Sequence, residues 1–458
     1  MVARMVRGWF AVLTVVTAAA LAASCSVTPG SSRGPASAPA APATVGVTET
    51  GPVTLTVWDQ ESGQVSKVWD QLNAEFQQKY PNVTIKRVRR SLGDLKTSLK
   101  LAISGPNPPD VVEANQGWPD MGQMVKAGLL LPLDNYAKAY GWSTRVSANV
   151  NAVSSFTPDG KQFGTGSLFG FTDKGELIGV FYNKTKLEKL GLAVPTTFAE
   201  FEQALATAKQ GGEVPIAFGN LDRFGGIHEF AAVQDRIAPV SYLTDFIFGR
   251  QGANLSFDTA QNLQAAGILQ DWARKGYFTA GFNGVGYDNT LAKFVKGEGV
   301  FMITGNWIVA DLGQNSTDFG FILMPPMQAG DPPVTTGGPG FPLAITAATK
   351  HPDAAAAYID WMTNSHSDEL LLPTGQIPLA KGADTSSVSP DTLLGQVRTA
   401  ADATNRANGL VPYEDWATPT MYDTMSAAVQ ELMGMQITPQ QFVDKNQKDY
   451  AAFQKSRP

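Results

Sequence analysis

Apolar and polar positions alternate over Val53-Thr54-Leu55-Thr56-Val57-Trp58, a period of two in β-branched residues that predicts a strand. The polar run Asp59-Gln60-Glu61-Ser62-Gly63 follows. Val65, Val68, Leu72 and Phe76 then recur at three- and four-residue spacing, which predicts an amphipathic helix closed by Tyr80-Pro81-Asn82. Val83-Thr84-Ile85 predicts a second strand, 95–103 a second helix stopped by Ser104-Gly105-Pro106, and 110–114 a third strand. Strand, helix, strand in this order predicts a parallel sheet with right-handed crossovers. Further strands are expected at 177–182, 214–218, 300–304, 319–324 and 341–346. Helix starts carry their own chemistry: Thr197 with Glu200 and Thr438-Pro439 with Gln441 read as capping boxes. Thr418-Pro419 opens a helix whose Met421, Tyr422, Met425, Val429 and Leu432 share a face. The class is α/β with more than one sheet. The stretch 51–458 is longer than one hydrophobic core usually serves, so at least two lobes are expected.

The chain start breaks this pattern. Arg4 and Arg7 precede a short apolar run from Trp9 to Ala23, which predicts an export signal rather than a spanning helix. Leu21-Ala22-Ala23-Ser24-Cys25 resembles a bacterial lipobox, with Ala22 where Leu or Val is commoner. Cys25 is the single cysteine of 458 residues, so a disulfide within the chain is excluded and lipidation of its thiol is expected. An ordinary cleaved signal peptide stays open beside that reading. Residues 1–24 are thus expected to be a lipoprotein signal peptide. Residues 25–50, rich in Ser, Pro and Ala with almost no large apolar groups, are expected to be a disordered tether.

Composition narrows the function. A formal net charge of −6 argues against a nucleic-acid partner. Charged residues make up 17% of the chain and aromatics 10%, and surplus rings suit sites for sugars or apolar ligands. His228, His351 and His366 have no metal-site spacing, no G-x-S-x-G elbow or phosphate loop occurs, and no metal or cofactor is expected. Lys86-Arg87-Arg89-Arg90 reads as a solvated strand end.

In open α/β sheets ligands lie beyond the carboxyl ends of strands. That rule selects Trp58, Asp59, Gln60 and Glu61 after the first strand, Asn115, Gln116 and Trp118 after the third, Asn220, Asp222 and Arg223 after 214–218, and Asn306 and Trp307 after 300–304. Carboxylates and amides pair with hydroxyl groups, and an indole covers the C–H face of a pyranose. Each has a second reading. Trp58 and Trp307 also suit core packing, Asp59 and Glu61 a helix-dipole role, Asn115 and Gln116 a turn or cap, and Asp222-Arg223 a surface ion pair.

A series of motifs carries a resemblance. It runs through Trp58-Asp59, Ser104-Gly105-Pro106-Asn107-Pro108-Pro109-Asp110-Val111-Val112, Gly179-Val180-Phe181-Tyr182-Asn183-Lys184 and Pro195-Thr196-Thr197-Phe198-Ala199-Glu200-Phe201. It continues through Phe294-Val295-Lys296-Gly297-Glu298-Gly299-Val300-Phe301-Met302-Ile303-Thr304-Gly305-Asn306-Trp307 and the helix from Pro352 through Trp361. In this order they resemble the extracellular solute-binding family of ATP-driven importers that includes maltose-binding protein. The resemblance implies a two-lobe, periplasmic-binding-protein-like (type II) α/β fold that closes on a ligand in the cleft. By analogy the first lobe takes 51–160 and 335–382, and the second takes 161–334 and 383–458. Gly164-Thr165-Gly166 and Thr335-Thr336-Gly337-Gly338-Pro339-Gly340 are places for backbone to bend or plain turns, and Gly338 joins the ligand-contacting candidates. The resemblance also implies that Trp307 stacks on sugar, and Trp416, after Tyr413-Glu414-Asp415, resembles a second stacking residue.

The implied function is a lipid-anchored, monomeric receptor on the outer face of the cell membrane. It delivers a carbohydrate, by preference an oligosaccharide, to ABC permease subunits and performs no covalent step. Rivals are a polyol, glycerol phosphate or peptide on the same fold, or a glycoside hydrolase using carboxylates among Asp59, Glu61, Asp222, Glu414 and Asp415.

Overall fold

The computed structural model describes Val47 and residues 51–250, 255–313, 317–383 and 388–456, all within the unit Gly34–Pro458. The expected signal peptide, Cys25 and nearly all of the tether lie outside the described residues. Among the described residues no helix is long and apolar enough to cross a membrane.

The first sheet runs as expected. β1 (Val53–Asp59) pairs in parallel with β2 (Val83–Arg89) and with β3 (Val111–Glu113). Helices Gly63–Lys79 and Leu92–Ser104 make the connections, the second capped by the Ser91 side chain on the Asp94 amide. The spaced apolar residues Val65, Trp69, Leu72 and Phe76 bury the first of these helices against the sheet and against the helix Pro352–Met362. A small hairpin, β4 (Ser155–Phe156) and β5 (Ser167–Leu168), encloses Gly164 and Gly166. These glycines, at φ 84 and 91, lie in the bend that leads into β5.

The second sheet centres on β6 (Lys174–Asn183), which runs antiparallel to every strand that touches it. Its partners are β7 (Phe301–Gly305), β8 (Phe319–Ile322), β9 (Thr335–Pro339) and, after β10 (Leu343–Ile345) has returned to the first sheet, β11 (Ile377–Pro378). β12 (Leu410–Val411) closes the edge alongside β9. The capping boxes at Thr197 and Thr438 form as the sequence predicts.

Three expectations change. Residues 214–218 make only bridges, Ile216 to Phe278 and Phe301, because Pro215 lacks the N–H a continuous ladder requires. The run at 335–340 is mostly a strand rather than a bend. A Cβ on Gly337 would fall 2.8 Å from Leu177 Cα, so glycine there admits close strand approach. The chain also crosses between the sheets later at the first two points and earlier at the third than the boundaries 160, 335 and 382 imply. Phe171 still bridges Leu343, β9 belongs to the second sheet, and Ile377 already pairs with Gly175.

Candidate functional site

Between the two sheets lies a cavity of about 720 Å³. It collects the end of β1, the end of β3, the start of β6, the turn after β7 and the loop 413–416. Of the residues the strand-end rule and the resemblance selected, Gln60, Glu61, Asn115, Asp222, Trp307 and Trp416 line it.

The others take structural places. Asp59 is fully buried and receives both Nε and Nη2 of Arg87, at 2.8 and 2.6 Å, while also accepting the Glu61 amide at 3.0 Å. Trp58 is half-buried beneath the Arg90 guanidinium, 4.7 Å from its ring. Gln116 donates to the carbonyls of Pro339 and Gly340 at 2.9 and 2.7 Å, which fastens one chain crossing. Asn220 accepts the Gly226 amide at a helix start, and Asn306 accepts the Leu177 amide while donating to Gly375 O. Gly338 pairs with Glu176 inside the second sheet. Asp222 lines the cavity without an Arg223 pair and accepts the Tyr287 amide at 2.7 Å.

The cavity wall holds several side chains that the strand-end rule passes over. Lys174 and Glu176 open β6. Since β6 is antiparallel, its beginning lies beside the ends of β7 and β9, where the rule looks only for residues that follow strands. Two charges at the head of an otherwise apolar strand were the available signal. Glu113 ends β3 inside the strand, and Arg89 and Arg90 reach the cavity from the basic run. Arg87 of that run turns inward, with its side chain only 9% exposed.

Rings form a connected group. Trp307 donates its Nε1–H to Tyr287 OH at 2.8 Å, and that hydroxyl meets Thr304 Oγ1 at 2.8 Å. His228 stands 5.7 Å from the Trp307 ring and 5.6 Å from Tyr413, which in turn lies 5.1 Å from Trp416. Gly305 makes room for the first of these: a Cβ there would overlap the six-membered ring of Trp307.

Burial sets the charges. Glu61 is pushed up to about 7 by burial and then by Asp59, and Glu113 is raised by burial and by Glu61. Glu176, which accepts from Tyr413 OH at 3.2 Å, is raised by burial to about 8. Burial lowers His228 to about 3, so its imidazole is neutral. Behind the wall, Glu414 accepts from Gln234 Nε2 at 2.9 Å but its second oxygen has no partner among the described residues, and burial holds it at about 8.

Glu414 therefore has a stability consequence. Between its ordinary 4.5 and about 8 the folded chain holds a proton that the unfolded chain releases. Its contribution is complete below 4.5 and is lost as pH rises through 8. Urea midpoints measured from pH 5 to pH 9 are expected to fall, by at least about 1 kcal/mol for this group, and Glu414→Gln should flatten the decline. An unchanged slope in the variant would assign the dependence elsewhere.

A family model described as bacterial extracellular solute-binding protein matches residues 61–367. The multiple sugar-binding protein of Streptococcus mutans is 22% identical over 348 residues, spanning 74% of this chain and 78% of its own. The melibiose/raffinose/stachyose-binding protein MelE of Bacillus subtilis is 20% identical over 338 residues, 72% of this chain and 75% of its own. A solved chitin oligosaccharide binding protein has the same fold, with a TM-score of 0.76 at 22% identity over 88% of this chain and 100% of that one.

Proposed function

The chain belongs to the bacterial extracellular solute-binding proteins, and on that basis we propose that it is the receptor of an ATP-driven importer, holding a carbohydrate between its lobes. The observation that carries this reading is the cavity itself. Half-buried and buried ring faces of Trp307, Tyr287, Tyr413 and Trp416 stand beside carboxyl and amide groups contributed from both sheets. Rings cover C–H faces and the polar groups pair with hydroxyls, a combination suited to a polyhydroxylated guest. Spread over several loops, the rings favour an oligosaccharide. Unpaired carboxyls on the wall oppose a phosphorylated guest.

The guest binds by differential affinity: it touches both lobes in the shut form and fewer groups in the open one, so it shifts the population toward closure. The shut form then meets two permease subunits. Lipidation at Cys25 would hold the receptor at the outer face of the membrane, with 25–50 as its leash. The protein catalyses nothing in this reading, and chromogenic glycosides should give no turnover.

Titration of tryptophan fluorescence against neutral saccharides tests the reading. Trp307→Ala is expected to weaken the tightest of them by ~10- to 100-fold, or about 1–3 kcal/mol. Gly305→Ala should act in the same direction by displacing the indole. Absence of any saccharide response would reject the carbohydrate assignment, and a response untouched by either variant would move the stacking platform away from Trp307.

A further inference from the structure

The cavity is unbalanced in charge. Glu61, Glu113, Glu176, Asp222, Asp288 and Asp415 line it, and among the described residues none has an ion-pair partner. Of the four cations that line it among the described residues, the two lysines are committed to ion pairs. Lys174 is held by Asp173 and Asp368, at 2.5 and 3.0 Å, and Lys96 by Asp120 at 2.8 Å. Arg89 and Arg90 are exposed, one donating to Glu61 O and the other lying over Trp58.

Three of the carboxyls converge from both lobes. Glu61 and Glu113 line the same cavity and act on each other electrostatically, Glu61 acts likewise on Glu176, and Glu176 accepts from Tyr413 OH at 3.2 Å. His228 adds an independent sign of a guest. Its side chain is 8% exposed, it lines the same cavity among the rings of Trp307 and Tyr413, and it has no hydrogen bond among the described residues.

We propose that the guest is a saccharide bearing a protonated amine, whose ammonium group sits between Glu61, Glu113 and Glu176 with His228 and the adjoining ring faces around it. This rests on the carbohydrate reading above. An ammonium between these carboxyls favours their ionised forms, and the charge pairs so formed join the two lobes. A neutral imidazole accepts an ammonium N–H, and aromatic faces attract positive charge.

Calorimetric titration of the full chain at pH 7 with matched pairs, glucosamine and galactosamine oligomers against their N-acetylated forms of equal length and linkage, tests this. The amine member of the best-bound pair is expected to bind at least ~10-fold tighter. Glu176→Gln and His228→Phe, each confirmed folded by circular dichroism, should shrink that preference to within about threefold. Equal or weaker binding of the amine overturns the proposal while the carbohydrate reading stands. If neutral and aminated saccharides all fail to bind, the carbohydrate reading falls and this proposal goes with it.

Discussion

Lys174→Ala is expected to destabilise the folded chain by about 3–5 kcal/mol, the cost typical of stranding buried charge. Its ammonium joins Asp173 and Asp368, whose side chains are 0% and 8% exposed, and also reaches Met362 O at 3.4 Å. Asp173 Oδ2 already has no partner among the described residues, and burial pushes that carboxyl up to about 6 even with the lysine present. Without the lysine, two carboxylates face each other in the interior at the point where the chain crosses into β6. Lys174→Met should restore volume without restoring stability, because the deficit is one of charge. The deficit should narrow at pH 5, because losing the ammonium raises the Asp173 carboxyl further above about 6 and the folded variant then gains more from proton uptake than the parent does. Urea unfolding at pH 5 and pH 8 reads both effects. A variant as stable as the parent at pH 8 would show that the triad contributes nothing.

Gly117→Ala is expected to damage stability and binding together. Gly117 has φ 75 and ψ −177, a region open essentially to glycine alone. A Cβ there would also overlap the Cβ of Trp416 and lie 2.8 Å from its Cα, so the obstacle includes backbone that cannot swing aside. Backbone strain and overpacking each cost about 1–3 kcal/mol, which gives a combined loss of about 2–5 kcal/mol. Relief requires moving the 413–416 loop away from the Asn115 loop, and both supply cavity wall. Affinity for the best saccharide should therefore drop at least ~10-fold, the scale of losing one well-placed aromatic contact. Retained affinity with reduced stability would mean that Trp416 packs the loop without touching the guest.

Most of the first sheet was legible because its determinants are local. Alternation in Val53–Asp59, the three- and four-residue spacing from Val65 to Phe76 and the Thr197–Glu200 box each act within a few residues, and each has the expected element. The misread strand at 214–218 shows the limit of the same logic. Apolar residues supplied the pattern, while Pro215 removed a donor the ladder needed.

By itself, the sequence determined the α/β class, the alternation of strands and helices, and a set of strand ends bearing indole, amide and carboxyl groups. Periodicity and turn chemistry are short-range properties, so one chain suffices to read them. Only the tertiary structure decided which of those groups face the cavity. Asp59 faces Arg87, Gln116 a chain crossing and Asn306 the second sheet, whereas Glu61 and Trp307 face open space. It also brought Lys174 and Glu176 to the site by running β6 antiparallel. Strand direction and the partner met by a buried polar group depend on residues outside the local pattern, 28 positions away for Asp59 and more than a hundred for Gln116, Asn306 and β6.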